Sequence, residues 1–115
     1  MVEISKRDWK LFRERVSDWQ ERYMEQLSKE YIEILSAPGN ASDHFWEIEE
    51  RIKKDKKHPG VILEMSKSNA IWDIAMLIGY KVITMDDLDG FSEELIEGVK
   101  LILFEFPEMI LTQSL

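Results

Sequence analysis

The densest run of chemically capable side chains is Arg51-Ile52-Lys53-Lys54-Asp55-Lys56-Lys57-His58-Pro59-Gly60. Arg51 to His58 holds five basic residues and one acid, in a chain whose net charge is −8. Clustered Arg and Lys are what a phosphate backbone or another anionic partner needs. Arg51, Lys53, Lys54, Lys56 and Lys57 are therefore candidate contacts for an anionic partner. The same pattern also suits the end of a helix. Glu47, Glu49 and Glu50 stand four residues before Arg51, Lys53 and Lys54, acid first, and each such pair is worth about 0.2–0.5 kcal/mol. Acids at the start and bases at the end complement the helix dipole. A nucleic-acid groove would interleave aromatics with the lysines. The nearest are Phe45 and Trp46, one to two turns back, so the helix-end reading is preferred.

The other groupings carry less. His44 and Glu47 share a helix face at i,i+3, but a metal site needs three or four ligands and no further ligand recurs at such spacing. Asp86, Asp87, Asp89, Glu93 and Glu94 resemble a calcium loop only in composition. With Gly90 at the loop's sixth position, Met85 falls at the first and Ile96 at the last, where carboxylates are required. Ser66, Ser68 and Asn69 could line a small pocket, but small polar residues among apolar ones more often permit close packing. There is no cysteine, hence no thiolate nucleophile, no thiolate metal site and no disulfide framework. No G-x-S-x-G, P-loop or G-x-G-x-x-G occurs. The sequence thus offers no catalytic, cofactor-binding or metal-ligating residue, and a non-enzymatic role is expected.

The elements that would position these groups are helical. Ser5-Lys6-Arg7-Asp8 is a capping-box pattern, with Asp8 expected to reach back to Ser5. Trp9, Phe12, Val16, Trp19, Tyr23, Leu27, Tyr31 and Ile34 then recur at steps of three and four, a helical stripe. This predicts one helix over 6–36, about 45 Å long at ~1.5 Å per residue. Ala37-Pro38-Gly39-Asn40 is a turn. A second helix follows from Asn40 or Ser42, with Phe45, Ile48 and Ile52 as its core stripe, and stops at His58-Pro59-Gly60. A third and most buried helix is expected over 60–79, with Gly79 as its C-cap. Thr84, Asp87, Ile83 and Leu88 make a capping box with a hydrophobic staple, opening a short helix that ends at Gly90. Ser92 caps a last helix that runs to Pro107. Residues 105–115 form a tail, with Met109, Ile110 and Leu111 exposed unless docked.

The runs Lys6-Arg7-Asp8-Trp9-Lys10-Leu11-Phe12-Arg13, Ile52-Lys53-Lys54-Asp55-Lys56-Lys57-His58-Pro59-Gly60-Val61 and Val82-Ile83-Thr84-Met85-Asp86-Asp87-Leu88 resemble a family of short uncharacterised bacterial proteins. The resemblance covers about residues 6–104. Some members carry the label "multidrug transporter". The resemblance implies no established activity, so no functional residue is carried over from it.

The totals bound the rest. At 115 residues the chain is expected to form one domain able to bury a modest core. The greasiest stretch, 61–83, is broken by Glu64, Lys67, Asp73 and Lys81, so no membrane span is read. The absence of a signal-like N-terminus and of cysteine fits a cytoplasmic protein. Residues 83–115 hold eight acids against Lys100 and would repel a nucleic-acid backbone. Together these readings give an all-α, single-domain bundle of four to five helices with a long N-terminal helix. The function expected is a helical protein–protein interaction module, self-associating as a homodimer through Trp9, Phe12, Val16, Trp19 and Tyr23. That stripe is too regular for a helix end packed on nothing. Two alternatives are an acidic inhibitor that mimics nucleic acid and a small RNA-binding protein using residues 51–58. A protein partner is favoured over nucleic acid, no cofactor is expected, and no membrane is involved.

Overall fold

The chain is all-α, a single-domain bundle built on a long N-terminal helix. The computed structural model describes residues 3–108. The tail expectation for Met109, Ile110 and Leu111 lies outside the described residues. The first helix, α1, spans Lys6–Ser36, the range its apolar stripe predicts. Ser5 starts it by accepting the Asp8 N–H at 3.1 Å, and the extended Ala37 before Pro38 ends it. A four-residue turn leads into α2, Ala41–Asp55, which runs back along α1. Two further helices, α3 at Ala70–Gly79 and α4 at Glu93–Glu105, pack on each other and on the N-terminal half of α1. Single 3-10 turns occur at Lys67–Asn69 and Met85–Leu88.

The third helix begins ten residues later than expected. His58 O accepts the N–H groups of both Val61 and Ile62, which closes a turn. The chain then runs extended into Ser66 (φ −138°, ψ 148°). In this stretch Leu63 and Met65 pack on the core while Ile62 and Glu64 are exposed. That alternation is the signature of extended backbone. The run Val61-Ile62-Leu63 looked like a greasy helix because buried helix and short extended segment share a composition. The end of α3 also differs from expectation. Gly79 is inside the helix, and the left-handed residue is Lys81 (φ 59°). Lys81 N–H donates to Ile78 O at 3.0 Å and Val82 N–H to Leu77 O at 2.8 Å, the paired bonds of a Schellman motif.

Two tertiary details hold the base together. Gly98 of α4 brings the backbone close to α3, since a Cβ there would lie 3.3 Å from Ile71 Cγ2. Asp8 does not reach back to Ser5. Its carboxylate accepts the Ser92 N–H at 3.0 Å and the Ser92 hydroxyl, while Ser92 Oγ accepts the Leu95 N–H at 3.2 Å. The N-termini of α1 and α4 are thus fastened to each other in a nearly sealed site. The core itself is Phe12, Val16 and Trp19 of α1 with Ile74, Leu77, Leu88, Leu95 and Val99.

Only the first half of α1 is covered by this core. The second half and α2 project as a two-helix hairpin, and the molecule measures 52 × 27 × 22 Å with a radius of gyration of 16.4 Å. A compact globule of similar length would have a radius near ~13 Å.

Candidate functional site

Large apolar side chains are exposed on α4, at Leu101 and Phe104, and over a wider area on the hairpin. The hairpin seam is polar. Arg51 of α2 donates to Glu30 of α1 at 3.0 Å, pairs with Asp55 at 3.4 Å and sits over the Tyr31 ring at 5.6 Å. The Tyr31 hydroxyl donates to Asp55 at 2.5 Å. Burial, then this bond, pushes the Tyr31 pKa up to about 12, so it remains a donor at neutral pH. Asp55 is the one buried residue of α2. These contacts fix the antiparallel register without consuming the apolar side chains beside them.

Those side chains are left outside. Phe45 is 62% and Trp46 60% exposed, and Ile32, Leu35 and Ile52 are exposed as well. At about 3.6 residues per turn, Leu35 flanks the line of α1 that meets α2, and Phe45 and Ile52 flank the matching line of α2. In an antiparallel pair, flanks of the same hand turn to the same side of the hairpin. Leu35, Phe45 and Ile52 therefore share one face. Ile32 and Trp46 extend it round the outer side of each helix, and the Phe45 and Trp46 rings meet edge to face at 4.9 Å. The core stripe expected for Phe45, Ile48 and Ile52 is thus corrected. Ile48 is half-buried, and among the described residues no third layer covers the other two.

The junction between hairpin and base is an aromatic clamp. Gly60 lies against Tyr23, where a Cβ would come within 2.3 Å of the ring. The Tyr23 ring stacks on His58 at 4.5 Å, and His58 meets Tyr80 edge-on at 5.2 Å. His58 Nδ1 accepts the Gly60 N–H at 3.0 Å, which requires an unprotonated nitrogen. Burial lowers the His58 pKa from its ordinary value and favours that form. His58 is a clamp at the junction and not merely a helix-end residue.

The residues singled out from the sequence divide as follows. Phe12 is fully buried (0% exposed), and Val16 and Trp19 are buried in the same core. A side chain already enclosed by its own chain offers no surface to a partner, so the expected interface through these three is corrected to core. Trp9 is half-buried against that core, with Arg13 over its ring at 5.3 Å, and Tyr23 is held in the clamp. The helix does outrun the bundle, but at its second half and not its first. The basic segment also divides. Arg51 is committed to the seam, and Lys53 pairs with Glu49 at 2.9 Å. Lys54, Lys56 and Lys57 are exposed. Glu47 and Glu50 do not make the pairs with Arg51 and Lys54 that their spacing suggested. His44 is half-buried in the first turn of α2.

Among the described residues, no group of three or more His, Cys, Asp or Glu is placed to hold a metal ion. No helix among them is long and apolar enough to cross a membrane. No family model matches the chain, and neither a curated protein nor a solved structure matches it.

Proposed function

We propose that the chain is a non-enzymatic helical interaction module that associates with a second copy of itself through the outer face of the hairpin. The observation that carries this is the exposed apolar face of Leu35, Phe45 and Ile52, edged by Trp46 and Ile32. Aromatic residues at the centre of a contact are the usual anchors of protein association. Charge favours a second copy over another partner. Residues 41–50 carry four acids and no base, and residues 51–57 carry five bases and one acid. A two-fold interface sets the same patch against itself. With two α2 helices antiparallel, the acidic half of each lies on the basic half of the other. Along the face, Phe45, Glu49, Ile52 and Lys56 recur at steps of four, three and four, so acid and base alternate with the anchors. Two hairpins joined in this way make a four-helix bundle.

Light scattering after gel filtration tests the reading. Wild type at tens of micromolar is expected at twice the chain mass. Phe45→Asp is expected at the single-chain mass with helicity kept, because the side chain is exposed within one copy. Lys56→Glu should weaken association, and adding Glu49→Lys should restore it. A wild-type monomer, or a dimer untouched by Phe45→Asp, overturns the reading.

A further inference from the structure

A second feature lies in the base and shares no anchor with the hairpin face. The segment after His58 crosses α3 and leaves a cleft of about 450 Å³, within the ~300–1,000 Å³ typical of small-molecule sites. Ile62, Leu63, Met76 and Tyr80 supply apolar and aromatic walls, and Pro59 closes one side. Asp73, in the first turn of α3, lines the same cleft and is only 6% exposed. Among the described residues, no group donates to its Oδ2. Buried polar atoms are nearly always satisfied, and an unanswered one costs free energy. The remaining charged groups of the cleft are Lys57 and Glu64, both exposed, which offset each other. His58 stands behind Tyr80, and burial favours its neutral form.

We propose that this cleft binds a small organic ammonium ion, its N–H donating to the Asp73 carboxylate and its apolar body lying on Leu63, Met76 and Tyr80. The carboxylate selects a donor, and a charged donor gives the stronger bond. The hydrocarbon walls select an apolar body, and the Tyr80 ring can face the cation. A metal ion is disfavoured because hard cations require several oxygen ligands, and Asp73 brings one buried carboxylate. Burial raises the Asp73 pKa to about 6, the Ser66 N–H opposing it. Binding should therefore weaken as pH falls through about 6 and the carboxylate takes up its proton.

The test is a backbone-amide NMR titration with 2-phenylethylamine and, in parallel, the neutral 2-phenylethanol. It is run on wild type and on the Phe45→Asp chain, so that association and cleft binding are read separately. The amine is expected to shift the signals of Leu63, Met76 and Tyr80 and to bind at least about tenfold more tightly than the alcohol, the ratio that ~1.4 kcal/mol of a charge-assisted bond supplies. Asp73→Asn should abolish that preference. Ile62→Lys, which adds a like charge to the cleft wall, should weaken the amine more than the alcohol. Equal binding of amine and alcohol overturns the proposal. So do shifts confined to other surfaces, an amine affinity unchanged in folded Asp73→Asn, or no response at tens of millimolar amine.

Discussion

The base and the hairpin are built from the same long helix but are stabilised in opposite ways. In the base, the N-terminal half of α1 lies under α3, α4 and the segment around Leu88. Phe12, Ile74, Leu77, Leu88, Leu95 and Val99 there are fully enclosed. In the hairpin, among the described residues, the C-terminal half of α1 has α2 beside it. Register comes from Arg51, Glu30, Asp55 and Tyr31; Leu27 is buried, while Ile32, Leu35, Phe45, Trp46 and Ile52 are exposed. Partly exposed ion pairs contribute little, about 0–1 kcal/mol each, and isolated helices of this length are marginal in water. The base is held by burial of its apolar core. The hairpin is specified by polar contacts and gains most by burying its face elsewhere.

The comparison breaks most directly at a matched pair of aromatics. Phe12→Ala should cost about 3–5 kcal/mol, because it opens a cavity in a closed core. Phe45→Ala should change the stability of a single chain by no more than about 0.5 kcal/mol. Urea denaturation at low protein concentration measures both. Equal costs would mean that the hairpin residue is as well packed as the core residue, and the division would fail.

The junction gives the next largest effect. Gly60→Ala should cost about 1–3 kcal/mol, since its Cβ would fall 2.3 Å from a Tyr23 ring already stacked on His58. Its thermal midpoint should fall while the far-ultraviolet spectrum keeps its helical form. An unshifted midpoint would show that the ring moves freely and that the hairpin is hinged there.

Acid sharpens the view of the base. Asp73 has a folded pKa of about 6 against an ordinary 3.8, so the folded chain binds the proton more tightly than the unfolded one. Its contribution is therefore fully present below about pH 4 and is lost as pH rises through about 6. Asp73→Asn should raise the thermal midpoint at pH 7 and gain little at pH 4. The His58 shift has the opposite sign, since protonation of a group with a lowered pKa costs stability as pH falls. The informative quantity is therefore the difference between wild type and Asp73→Asn across this range. A constant difference would remove the buried charge from the account.

The smallest effect belongs to the end of α3. Lys81→Gly should stabilise by about 1 kcal/mol, relieving an L-residue held in the left-handed region. A loss of stability on this change would show that the Lys81 side chain contributes more than its backbone strain costs.

The sequence by itself determined what depends on neighbours within a few residues. The stripe from Trp9 to Ile34 and the turn at Pro38-Gly39 gave the bounds of α1. Ser5, Ser92 and the Thr84–Asp87 pair marked starts that the structure repeats, with Thr84 N–H donating to Asp87 at 2.8 Å. Pattern could not tell core from interface along one stripe, because both bury apolar surface and both repeat at helical spacing. Nor could it separate extended from helical backbone over 61–66, where Leu63 and Met65 alternate for too few residues to register a period. Only the tertiary structure decided that Asp8 answers Ser92 and not Ser5, that Phe12 and Trp19 face inward while Phe45 faces out, and that Asp73 ends beside an apolar cleft. The reason is physical. Caps and periodicity act along a few residues of chain, but burial is a property of what arrives from elsewhere. Asp8 and Ser92 are separated by most of the molecule's length in sequence and by one hydrogen bond in space.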